Sequence, residues 1–102
     1  MRFMIHVEVP TDVGNKLDFE EGGPGRIFKY LAERFNPEVF YASPARRAIW
    51  MVAHLDEPKM IELMFIISKR LGVYPLLTPV APGSEVPELA EGAGEAVKNA
   101  PL

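Results

Sequence analysis

The residues of this chain best suited to acid–base chemistry are its two histidines, His6 and His54. Histidine is the one side chain whose unperturbed charge change falls between pH 5 and 8. Both lie in segments that alternate in polarity, Arg2 to Val9 and Ala48 to Leu55. A period of two sends Phe3, Ile5, Val7 and Val9 to one side of a strand and Met4, His6 and Glu8 to the other. In the second segment Ile49, Met51, Ala53 and Leu55 oppose Trp50, Val52 and His54. If the two strands are neighbours, one sheet face carries two imidazoles and a carboxylate. A carboxylate beside an imidazole raises its pKa and fixes its tautomer, and proton transfer by such a group speeds isomerisation or cyclisation of a carbonyl compound. In that scheme His6 is the base, Glu8 orients it, and His54 polarises oxygen. Met4, Tyr41, Trp50 and Val52 would line the site for a small apolar molecule. Read without chemistry, the same histidines are satisfied polar groups in a non-enzymatic dimeric binding or interaction module. No spacing motif for a metal is present, and neither metal nor cofactor is expected.

The elements that must position these residues follow from the pattern. Pro10 ends the first strand, and Thr11 to Gly25 reads as a long loop because of its glycines. A helix opening at Pro24 or Gly25 carries Ile27, Leu31 and Phe35 at i, i+4 and i+8, and Pro37 ends it. The stretch Gly22 to Arg26 lacks the Lys-Ser/Thr ending of a phosphate-binding loop and reads as a connector or lid. Val39 to Ser43 and Ala48 to Leu55 form a hairpin. Asp56 offers an N-cap to a second helix, with Pro58 in its first turn and Gly72 as its stop. Val73 to Val80 is a last strand that Pro75 and Pro79 confine to a sheet edge or a bulge. Residues 83–102 form an acidic C-terminal extension, with a short helix from Glu85 to Glu91 and doubtful continuation past Gly92 and Gly94. The order strand, helix, strand, strand, helix, strand over residues 1–82 predicts an α+β, ferredoxin-like βαββαβ domain. Its four-stranded antiparallel sheet would carry both helices on one face and place the first and third strands together in the centre. Antiparallel pairing would set His54 beside Met4 and His6, and Trp50 beside Glu8.

Composition sets limits on function. The 102 residues suffice for one modest core, and 48% hydrophobic with 25% charged residues is ordinary for a globular domain. A net charge of -3 argues against binding nucleic acid by phosphate neutralisation. With no cysteine there is no disulfide or thiolate metal site. The opening segment has no continuous apolar run, so no signal sequence is expected, and no segment is long enough to span a bilayer. A cytoplasmic location without membrane contact is the expectation. Four glutamates against one lysine give residues 83–102 a net charge of -3, which leaves residues 1–82 neutral. A neutral body favours self-association. So does unsheltered apolar surface: Trp50, Val52 and Met4 on the open sheet face, and Ile61 and Phe65 beyond the core stripe of the second helix. A homodimer is therefore the expected assembly.

Five stretches resemble an uncharacterised bacterial family of about this length. They are Met1 to Met4 (MRFM), Pro10 to Asn15 (PTDVGN), Asn36 to Tyr41 (NPEVFY), Arg47 to Val52 (RAIWMV) and Pro75 to Val80 (PLLTPV). More broadly the chain resembles the dimeric α/β-barrel superfamily, which includes muconolactone isomerases, polyketide cyclases and cofactor-free or haem-degrading monooxygenases. That resemblance implies a dimer with a pocket between each sheet and its helices. Plant polyketide cyclases of the superfamily carry histidines on the first and third strands, as His6 and His54 would be. The further Tyr and His of their active site have no counterpart here, and fold does not dictate activity.

Overall fold

The computed structural model describes residues 1–20 and 23–101. In chain order its elements are β1 (Arg2–Glu8), α1 (Thr11–Asp18), α2 (Gly23–Phe35), β2 (Val39–Ser43), β3 (Ala48–His54), α3 (Glu57–Leu71) and β4 (Leu76–Pro79), followed by a single 3-10 turn at Gly83–Glu85 and α4 (Val86–Asn99). The architecture is α+β, with one antiparallel four-stranded sheet of order β2-β3-β1-β4. The first and third strands are central neighbours, as the order of elements predicts. β4 pairs only with β1, so its Pro79 needs no donor on the outer side.

One layer of helices covers one face. Phe3, Ile5, Val7 and Val9 of the first segment, with Ile49, Met51, Ala53 and Leu55 of the third, are buried against Phe28, Leu31 and Phe35 of α2 and Leu63, Ile67 and Leu71 of α3. The spacing of the α2 and α3 residues, three or four apart, is that of one helix face. α3 is bounded as its sequence requires. The Asp56 carboxylate accepts from the Lys59 N–H at 2.9 Å, and Gly72 stops the helix in the left-handed region at φ 69°.

Two elements differ from expectation. Residues 11–18 are helical, where the glycine at 14 suggested loop. Val13 and Leu17, one turn apart, pack on the core and hold this turn in place. Gly14 is buried under Arg47, and a Cβ there would stand 2.5 Å from the Arg47 Cδ, so glycine serves close approach and does not break the helix. The Arg47 guanidinium in turn reaches Asn15 at 2.9 Å and pairs with Asp18. At Gly22 the glycine-rich stretch lies outside the described residues. The second difference is α4, which continues through Gly92 and Gly94 to Asn99. Each glycine costs about 1 kcal/mol against alanine in a helix, a handicap and not a stop.

α4 leaves the body. Every residue of it is exposed, and the radius of gyration is 16.5 Å, against about 13 Å for a compact chain of 100 residues. α4 does not shelter Ile61 and Phe65 of α3, which remain 49% and 60% exposed. Among the described residues no helix is long and apolar enough to cross a membrane.

Candidate functional site

The sheet face away from the helices is built as cross-strand rows. One row reads Val39, Val52, Met4, Thr78 across β2, β3, β1 and β4. The next reads Tyr41, Trp50, His6, Leu76. Side chains directly opposite in such rows are within contact reach. Tyr41 is 68% exposed, Leu76 63%, Val39 41% and Met4 38%, while Trp50, Val52 and His6 are half-buried by their neighbours. Charged groups close both ends of this apolar band. At one end Arg2 Nε and His54 Nε2 each lie 2.9 Å from Glu38 Oε1. At the other, Arg46 donates to Glu8 Oε1 at 2.6 Å.

All the predicted site residues on β1 and β3 therefore share the open face, but the register places them differently from expectation. His6 is opposite Trp50, and His54 is opposite Arg2. The pairing is offset by two residues from the one that would set His54 beside Met4 and His6. An even offset keeps each side chain on its face and moves it by one row. The offset is pinned by backbone bonds at both ends of the pair, Leu55 N–H to Met1 O at 2.8 Å and Val9 N–H to Arg47 O at 3.0 Å. The two histidines consequently stand four positions apart along the pair, roughly 13 Å.

Each histidine has its own local partners. The His6 ring stacks on Trp50, with centroids 4.7 Å apart and planes 18° from parallel. His6 Nδ1 is 3.1 Å from the Ile49 carbonyl oxygen, so this nitrogen carries the proton and donates. That leaves Nε2 facing Glu8 Oε2 at 3.8 Å. His54, by contrast, is an exposed member of the Glu38 cluster. Arg2, Glu38 and Arg46 were not singled out in the sequence. Nothing local marks them, because each meets its partner only through strand pairing.

Chemically, the row around His6 offers a flat aromatic and apolar surface with one imidazole whose tautomer is set by the backbone. Neither of the two principal concavities contains His6, Glu8 or Trp50. The larger, about 870 Å³, lies among α1, α2 and the end of α3. The smaller, about 710 Å³, is lined by Arg2, His54 and Pro79 at the end of the sheet and by Val86 and Leu89 of α4. Among the described residues, no group of three or more His, Cys, Asp or Glu is placed to hold a metal.

Two surface carboxylates titrate away from their usual range. Glu38 is held below the ordinary 4.5, first by the hydrogen bond from Arg2 and then by the charges of Arg2 and His54. Glu62 is lowered in the same way by the Arg34 guanidinium, which bonds both its oxygens. A carboxyl whose pKa is lower folded than unfolded adds stability above its unfolded value, and that stability is lost as pH falls through the folded value. Melting temperature should therefore drop as pH is lowered below about 4.5, and a Glu38→Gln, Glu62→Gln double variant should show a shallower drop. Thermal melts across pH 3 to 7 check this; equal slopes would remove these pairs as the cause.

No protein-family model, curated protein or solved structure was found to match this chain.

Proposed function

We propose that the protein acts as a homodimer of the ferredoxin-like, dimeric α/β-barrel kind in the cytoplasm, two copies meeting through their open sheet faces and enclosing a small apolar molecule. The observation that carries this reading is the pair of rows, Val39–Val52–Met4–Thr78 and Tyr41–Trp50–His6–Leu76, on the sheet face opposite the one that α2 and α3 cover. Apolar surface of this extent on one face is the usual mark of a contact or ligand surface. Central β1 and β3, edge β2 and β4, and a single helical layer support the ferredoxin-like part of the reading. The apolar start of α4 extends the same surface, since Val86 and Leu89 share a groove with Arg2 and His54.

The geometry favours the binding module over the isomerase or cyclase. Proton transfer by His6, Glu8 and His54 together needs them around one substrate, and within one chain His54 belongs to a different polar group. His6, stacked on Trp50 and bonded to Ile49, serves as a satisfied polar residue in the centre of the contact face. Sedimentation at micromolar concentration should give about twice the 11.4 kDa chain mass. A monomer at that concentration would refute the dimer.

A further inference from the structure

The larger concavity lies far from the sheet face and has a different character. No strand residue lines it. Its walls include the half-buried side chains of Val13 and Leu17 from α1, Ile27 from α2 and Ile66 from α3. Lys16, Arg26, Lys69 and Arg70 also line it, against one carboxylate among the described residues, Glu20. Its volume, about 870 Å³, falls in the range of small-molecule sites, about 300–1,000 Å³.

Four of the six arginines, Arg2, Arg34, Arg46 and Arg47, are committed to a carboxylate. Lys16, Lys69 and Arg70 pair with none among the described residues. Part of their role is to complement helix ends: Lys16 lies in the last turn of α1, and Lys69 and Arg70 in the last turn of α3. Each helix C-terminus carries only about half a negative charge, so two of them offset about one cation. Counting Lys16, Lys69 and Arg70 alone, and subtracting Glu20 as well, about one positive charge remains over an apolar floor, and the N-terminal end of α2 at Gly23 adds to it. A residual positive charge concentrated over half-buried aliphatic side chains is complementary to one class of molecule, an anion joined to an apolar body.

We propose that this cleft binds a soluble amphiphilic monoanion, a carboxylate on an aliphatic chain, with the chain on Val13, Leu17, Ile27 and Ile66 and the anionic head held by Lys16, Lys69 and Arg70. The arginine offers paired donors to a carboxylate, and the lysines act as point charges. This site is separate from the open sheet face.

The test uses the full chain and decanoate as probe, followed by calorimetry. Decanoate should bind with one site per chain, and its neutral counterpart decanol about tenfold or more weakly. The Lys69→Ala, Arg70→Ala double variant should weaken decanoate by about tenfold or more with the fold retained by circular dichroism, because both side chains are exposed and only their support of the end of α3 is lost. Trp50→Glu, on the other face of the sheet, should leave decanoate affinity unchanged, so loss of the dimer and loss of this site read out separately. Equal binding of decanol, or undiminished binding by the double variant, would overturn the proposal. So would displacement of decanoate by inorganic phosphate at equal concentration, which would mark a bare anion site with no use for the apolar floor.

Discussion

Leu31→Ala should lower the free energy of unfolding by about 2–5 kcal/mol, the range for truncating a fully buried leucine. Leu31 is 0% exposed, in the middle of the α2 stripe between Phe28 and Phe35. Removing its isobutyl group forfeits the burial of the lost atoms and leaves a cavity against the sheet. The neighbours cannot close that cavity cheaply, since Ile5, Ile49 and Met51 are also 0% exposed and belong to the central strands. For a domain near 100 residues each kcal/mol moves the midpoint by about 4–8 °C, so a loss of about 10 °C or more in melting temperature is expected. Phe19→Ala is the matched control. Phe19 is 93% exposed, and its truncation should stay within about 0.5 kcal/mol. Denaturant titration of the three proteins decides this, and a Leu31→Ala midpoint equal to that of the parent would mean that α2 does not close the core.

The contrast between those two residues shows where sequence pattern is a reliable guide. Alternation in β1 and β3 and the three-or-four spacing in α2 and α3 carry the information, because burial acts on every residue of a face at once. The same applies to the two ends of α3 at Asp56 and Gly72, where one residue supplies one capping bond or one left-handed conformation. Helix α1 was hidden because its glycine reads as a breaker until Arg47, more than thirty residues on, is found lying over it. The open face was legible as a face, since parity alone assigns Met4, His6, Glu8, Trp50, Val52 and His54 to it. Which of these touch was not. Parity is blind to an offset of two, and that offset decides that His6 meets Trp50 while His54 meets Arg2 and Glu38. The cleft lined by Lys16, Lys69 and Arg70 was beyond reach for a related reason: its walls come from three helices whose mutual placement no local pattern encodes.

Trp50→Glu should convert the dimer to a monomer without unfolding the chain. Trp50 sits mid-row, with Tyr41 and His6 on either side, so it is central to any contact made by this face. In a monomer the substitution is mild. The position is only half-buried, it faces away from the helical layer, and the main loss is the ring stacked on His6 at 4.7 Å. In a symmetric face-to-face dimer the same change buries one carboxylate from each copy, and the effective penalty is several kcal/mol per ion. Loss of the aromatic contact area adds to that. A weakening of the dimer by about a hundredfold or more is therefore expected, because every 1.4 kcal/mol is a factor of ten. Sedimentation reads the mass, and circular dichroism reads the fold. Tyr41→Glu removes any ambiguity from folding, since Tyr41 is 68% exposed and its side chain supports little in the monomer. It lies in the same row and should weaken the dimer in the same direction. If both variants sediment as the parent does, the open sheet face is not where two copies meet, and its apolar rows must serve another partner.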